Sequence, residues 1–123
     1  MVPLFLEAYW NLLRFDFYLA RGNFNALHSR VRSYPTSTRT RHPALKQLCR
    51  TMDMACIWYG KEALCLQRSA ALTCLLRRHG VPAQLVIGAQ QVPFKAHAWV
   101  EVDGIVVNDK PYVPEMYAAL DRC

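Results

Sequence analysis

"AQLVIGAQQVPFKAHAWVEVDGIVVND", residues 83 to 109, decides the fold class. It holds three runs rich in β-branched and aromatic residues: 83–90, 95–102 and 105–109. Short polar or Gly- and Pro-containing breaks separate them, which is the pattern of consecutive antiparallel strands. Most of the chain upstream reads with helical spacing. Helices first and strands after predict an α+β fold, with a small antiparallel sheet following N-terminal helices.

Working back from the strands, a helix ends at "RRHG". Gly80 suits the position just past a helix and Pro82 forbids continuation. Leu64, Ala71, Leu72, Leu75 and Leu76 form its apolar stripe. Arg77, Arg78 and His79 fall in its last turn, where cations suit the helix dipole. Residues 43–58 read as another helix, with Leu45, Leu48, Cys49, Met52 and Cys56 near one face. Cys49 and Cys56 are expected as buried small hydrophobes. "SYPTSTRTRHP", residues 33–43, reads as a basic loop, and Arg39, Arg41 and Arg50 are solvated or touch an acidic substrate. Residues 24–33 form a short helix. Residues 3–20 form a longer one, with Leu6, Trp10, Leu13 and Phe17 at three- and four-residue spacing and Leu12 and Leu19 beside them. That stripe is expected to pack inward.

The 123 residues suit a single domain spanning 1–123, with a helical part over 1–60, a central helix within 61–80 and strands over 83–109. At 53% hydrophobic and 20% charged, the chain can build a core and is not disordered. The formal charge of +6 predicts an acidic partner without choosing among nucleic acid, anionic membrane and acidic peptide. Five cysteines are an odd number, and none are paired at zinc-ligand spacing. That predicts free thiols in a reducing compartment and no metal. The apolar N-terminus is interrupted by Glu7, Arg14 and Asp16, so no stable membrane insertion and a cytoplasmic location are expected. No phosphate-binding glycine loop or internal repeat occurs, and no cofactor is implied.

Among the cysteines, Cys65 is best placed as a nucleophile. It lies in the first turn of its helix, where unpaired N–H groups favour a thiolate and can also hold an oxyanion. His97 in the second strand and Asp109 at the end of the third complete a Cys–His–Asp set in papain-like chain order. Two hairpin registers are open. A two-residue type I′ turn at Asp103-Gly104 pairs Val102 with Ile105 and sets Ala98, not His97, opposite Asp109. A three-residue bulged turn pairs His97 with Asp109, and the triad predicts this second register. Asn108 is the rival orienter. Gln67 is a candidate oxyanion donor. Arg68 either forms an ion pair or contacts substrate, Trp99 either walls the site or packs in the core, and Glu101 is expected as a solvated strand residue.

"CLQRSAALTCLLRRHGVPAQLVIGAQ" followed by "PFKAHAWVEVDGIVVND" closely resembles the leader peptidases of lasso-peptide biosynthesis, the protease half of the B protein. These are transglutaminase-like, papain-related enzymes. The resemblance covers about residues 63–109. It implies a papain/transglutaminase-like fold with the sheet packed on the Cys-bearing helix. It also implies Cys65 as nucleophile, His97 as general base and Asp109 as its orienter. The activity implied is removal of the leader from a ribosomal precursor peptide, which frees the core for macrolactam formation. The implied partners are that precursor, a separate PqqD-like recognition protein and an asparagine-synthetase-like cyclase, and not nucleic acid. Two other readings stay open: acyl transfer to an amine through the same thioester, and a non-catalytic basic peptide-binding module in which Cys65 is only core.

Overall fold

The structure, a computed structural model, describes residues 3–22, 24–37, 44–59, 65–91 and 94–123. Among these residues four helices lead: α1 (Leu4–Ala20), α2 (Phe24–Ser33), α3 (Leu45–Ile57) and α4 (Cys65–Arg78). Strands β1 (Ala83–Gln91), β2 (Phe94–Val102) and β3 (Ile105–Val106) follow, then the short helix α5 (Val113–Met116) and strand β4 (Ala118–Arg122). The α+β expectation is met. Each neighbouring pair in the sheet, ordered β3-β2-β1-β4, is antiparallel. The basic stretch from 38 to 43, with Arg39 and Arg41, lies outside the described residues, as does 60–64 with Leu64.

Helix α4 is the centre of the molecule. It packs on α1 and α3 on one side and on β1 and β2 on the other. Ala70, Ala71, Leu72, Cys74, Leu75 and Leu76 are all buried as a result. Each leucine so buried contributes about 1.5–3 kcal/mol of hydrophobic stabilisation. The helix stops as its residues predict. Gly80 takes a φ of +88°, and the N–H groups of Val81 and Gly80 donate back to the carbonyls of Leu76 (2.9 Å) and Arg77 (3.1 Å). These two bonds satisfy carbonyls that a helix end otherwise strands.

Arg77 turns inward instead of merely complementing the dipole. It is buried, and its guanidinium donates to four backbone carbonyls. Those are Ala83 (2.9 Å), Tyr34 (3.2 Å), Val31 and Cys123. One side chain thereby ties α4 to α2, to the start of β1 and to the end of β4.

Helix α1 corrects the sequence reading. Leu6, Trp10, Leu13 and Phe17 do not face the core; they are 53%, 59%, 41% and 54% exposed. The buried face is Ala8, Asn11, Leu12 and Phe15. The helix is apolar nearly all round, so periodicity alone does not say which stripe is covered. The small side chain of Ala8 lets α1 approach its neighbours closely. Gln67 on α4 then donates its Nε2 to the Leu12 carbonyl at 2.9 Å, which locks that face down.

The third predicted strand, 105–109, is cut short. Only Ile105 and Val106 pair with β2, and 107–109 bend away. The opposite edge is filled by β4, which the sequence reading missed. Most of β4 is exposed, so it carries no inside–outside alternation to detect. Among the described residues, no helix is long and apolar enough to cross a membrane.

Candidate active site

The turn between β2 and β3 is type I′, not the bulged turn that the triad predicted. Asp103 and Gly104 have φ of +53° and +77°, and Val102 pairs with Ile105. Asp tolerates the left-handed region and Gly prefers it, so the Asp-Gly pair follows its local preference. Continued regularly, this register would set Ala98 opposite Asp109 and turn Asp109 from His97. The ladder does not continue. Val107 N–H still donates to the Val100 carbonyl at 3.0 Å, but Val100 N–H finds the Asn108 side-chain oxygen (2.8 Å) instead of a backbone carbonyl. The Ala98 carbonyl, one pair further on, accepts from the Ser69 hydroxyl at 3.2 Å. Asn108 Nδ2 donates to the same hydroxyl at 3.0 Å. Two side chains thus take over hydrogen bonds that backbone would have made, and 107–109 is free to swing across the edge of β2.

That swing brings Asp109 to His97. Asp109 Oδ2 lies 2.6 Å from His97 Nε2, with both side chains about a fifth exposed. Burial on its own would raise the Asp109 carboxyl. Hydrogen bonds from His97 and from the Lys110 N–H outweigh it, and the carboxyl is held below its ordinary value. A depressed carboxylate stabilises the fold above its unfolded pKa, about 4, and that stability is lost as pH falls through the folded value. Urea melts of Asp109→Asn and of the parent chain should therefore differ near neutral pH and converge in strong acid. The gap should not widen there.

His97, Trp99 and Glu101 share one face of β2 by alternation. Val86, Trp99 and Val113 form a buried cluster on that face, flanked by Tyr117. The Trp99 ring is fully buried, 6.1 Å from the His97 ring, and Tyr117 sits 5.3 Å from His97 on its other contact. A buried ring cannot wall an open cleft, so Trp99 acts as a packed support for the imidazole. Glu101 is not solvated as expected. It is 3% exposed and accepts from Trp99 Nε1 (2.8 Å) and Arg122 (2.5 Å). The missed strand β4 supplies that arginine, and the pairing is what permits a buried carboxylate. Gly88, paired with His97, leaves the room Trp99 occupies; a Cβ there would meet the indole at 2.7 Å and Tyr117 at 3.0 Å. Gly88→Ala should cost about 1–3 kcal/mol in urea denaturation through overpacking. It should also disturb the rings beside His97.

Cys65 opens α4, one turn before Ser69, and is partly exposed. The Ser69 contacts with Ala98 and Asn108 therefore hold the first turns of α4 beside the residues flanking His97 and Asp109. Among the described residues no hydrogen bond joins the Cys65 thiol to His97. The other thiols are less available. Burial pushes Cys74 up to about 12 and Cys49 up to about 11, and raises Cys56 and Cys123. Cys49 and Cys56 are half-buried, not sealed in the core. Arg68 lies close enough to lower the Asp109 carboxyl, and its buried Nε has no hydrogen-bond partner among the described residues. Gln67 is drawn toward α1 by the Leu12 carbonyl. Asn108 is occupied by Val100 and Ser69, not by His97. Ser69 was not singled out in the sequence, although its i+4 spacing from Cys65 was a usable signal. Nothing pointed to Tyr117. Among the described residues no group of three or more His, Cys, Asp or Glu is arranged to hold a metal ion.

The sequence has counterparts among known proteins. A family model for the transglutaminase-like superfamily matches residues 11–122, nearly the whole chain. The chain belongs to the transglutaminase-like superfamily. The likeness to lasso-peptide processing proteins expected from the motifs is also found. The chain is 49% identical over 47 residues to the microcin J25-processing protein McjB of Escherichia coli. That match covers 38% of this chain and 23% of McjB. No solved structure matches. The helices-then-sheet order of this chain, with α4 packed against β1 and β2, is the α+β arrangement that the resemblance implied.

Proposed function

We propose that this chain is a cysteine peptidase that removes the leader from a ribosomally made lasso-peptide precursor. The observation that carries the reading is the His97–Asp109 contact, formed where the β2–β3 ladder breaks and braced to the Cys65 helix through Ser69. Nε2 of His97 is committed to Asp109, so Nδ1 is the nitrogen left to exchange a proton with the thiol. His97 takes the Cys65 proton, and the thiolate attacks the scissile carbonyl. Backbone N–H groups at the start of α4 hold the oxyanion. His97 then protonates the leaving amine, and water resolves the thioester. Asp109 fixes the tautomer and stabilises the imidazolium. Arg68, beside Asp109, is a substrate-carboxylate contact in this scheme.

The likeness to a microcin-processing protein supports a peptide precursor as substrate. With it come the remaining parts of the reading: a separate PqqD-like recognition protein, an asparagine-synthetase-like cyclase and a cytoplasmic setting, with residues 1–123 as one catalytic domain. The test is reconstitution of cleavage with the genetically neighbouring precursor and recognition protein, read by mass spectrometry. No cleavage under those conditions would sink the reading. The superfamily match supports one second reading, acyl transfer to an amine. Adding a primary amine separates the two: adducts in place of free carboxylate products would favour transfer.

Asp109→Ala should lower the cleavage rate by roughly 10²–10⁴-fold, because the imidazole loses its orienter. Asn108→Ala should act differently. It strands the Val100 N–H, costing about 1–3 kcal/mol of stability, and loosens 107–109 with a smaller loss of rate. Wild-type rates in Asp109→Ala together with inactivity in a folded Asn108→Ala would reverse the assignment.

A further inference from the structure

A groove of about 360 Å³ lies at the far end of α4 from Cys65, between α1 and α2. Arg14, Arg30 and Arg78 border it, Trp10 and Tyr34 flank it, and buried Asn11 lies beneath. Its acid, Glu7, is already used: Oε1 meets Arg78 at 2.9 Å and Oε2 meets His79 at 2.7 Å. Arg14 and Arg30 have no carboxylate at ion-pair distance among the described residues. The buried Nε of Arg30 has no hydrogen-bond partner among them either. Each guanidinium instead leans over a ring, Arg14 over Trp10 (6.0 Å) and Arg30 over Tyr34 (5.8 Å). The groove therefore carries two half-buried cations in excess. It also opens onto the exposed apolar stripe of α1, Leu6, Trp10, Leu13 and Phe17.

Charge and shape together point to an acidic amphipathic partner. We infer that this groove binds a segment of the substrate peptide away from the cleaved bond, with a carboxylate between Arg14 and Arg30 and apolar side chains along the α1 stripe. The inference rests on the peptidase reading above. Helix α4 runs 14 residues from Cys65 to Arg78, about 20 Å, which an extended chain covers in roughly six residues. A substrate held by the groove at that separation or more can still present a bond to the thiol.

Binding is read on the Cys65→Ala chain by fluorescence anisotropy, so that no cleavage intervenes. The probe is a short labelled amphipathic peptide with leucine on one face and glutamate on the other, compared with its glutamine counterpart. The glutamate peptide should bind at least ~10-fold tighter, and more weakly as salt is raised. Arg14→Gln or Arg30→Gln should erase most of that preference. Trp10→Glu, at a site already more than half exposed, should repel the same peptide in a chain whose circular dichroism is unchanged. Equal binding of the two peptides overturns the inference, as does unchanged binding in a folded Arg14→Gln/Arg30→Gln chain or in Trp10→Glu. For the source of the segment, the precursor that supports reconstituted cleavage should show a KM raised ~10-fold by Arg14→Gln with kcat little changed. If the glutamate peptide binds but this KM does not move, the groove serves another protein and the substrate assignment falls. Binding lost with cleavage intact overturns the groove and spares the peptidase reading. Binding kept with no cleavage upholds the groove's chemistry and overturns that reading.

Discussion

Cys65→Ala is expected to abolish precursor cleavage, a loss on the order of 10⁴–10⁶-fold, while leaving the circular dichroism and the urea midpoint close to the parent chain. The fold should survive because Cys65 is only partly buried and its thiol makes no hydrogen bond to His97 among the described residues. Iodoacetamide supplies an independent check near neutral pH. Burial holds Cys49, Cys56, Cys74 and Cys123 in their thiol forms, so Cys65 should be alkylated first and activity lost in step. His97→Ala should slow that alkylation if the imidazole takes the thiol proton. Labelling of Cys65 no faster than an exposed model thiol, with cleavage intact in Cys65→Ala, would leave Cys65 as core filler.

Arg77→Met should be the most destabilising single substitution away from the site. Methionine keeps much of the apolar stem but removes the donors to Val31, Tyr34, Ala83 and Cys123. The Val31 and Cys123 carbonyls each keep an N–H donor, from Tyr34 and Leu85. Hydrogen bonds from a charged donor nevertheless contribute about 1.5–3 kcal/mol each, so losing four should still cost at least ~3 kcal/mol. That is a large share of the roughly 5–15 kcal/mol by which a domain of this size is stable. Urea denaturation should show the midpoint falling sharply, with the cooperative slope little changed. Arg77→Lys should recover only part of the loss, because one ammonium cannot reach carbonyls in so many directions. A midpoint within ~0.5 kcal/mol of the parent would show that the four bonds are replaced by water at little cost.

The end of α4 and the type of each main helix were legible because each depends on neighbours in sequence. Gly80 accepts a positive φ, Pro82 blocks continuation, and apolar residues recur at helical spacing. The same local logic makes Asp103-Gly104 a type I′ turn. The expected bulge there failed because it asked a turn to satisfy a distant requirement, the meeting of His97 and Asp109. The chain meets that requirement elsewhere, by breaking the ladder after Val106. Glu101 was misread for a related reason: its partner Arg122 comes from a strand with no pattern of its own.

The sequence by itself determined the order of helices and strands, the helix stop at Gly80, the turn, and the order in which Cys65, His97 and Asp109 fall along the chain. These follow from backbone preferences and short-range spacing. Only the tertiary structure decided which face of α1 is buried, since both faces are apolar and the packing of α3 and α4 selects one. It also decided that Ser69 and Asn108 replace β-ladder bonds, that Arg77 gathers carbonyls from α2, β1 and the end of β4, and that Arg14 and Arg30 face one groove. Those outcomes depend on groups far apart in sequence, whose hydrogen-bonding needs can be balanced only once the chain has brought them together.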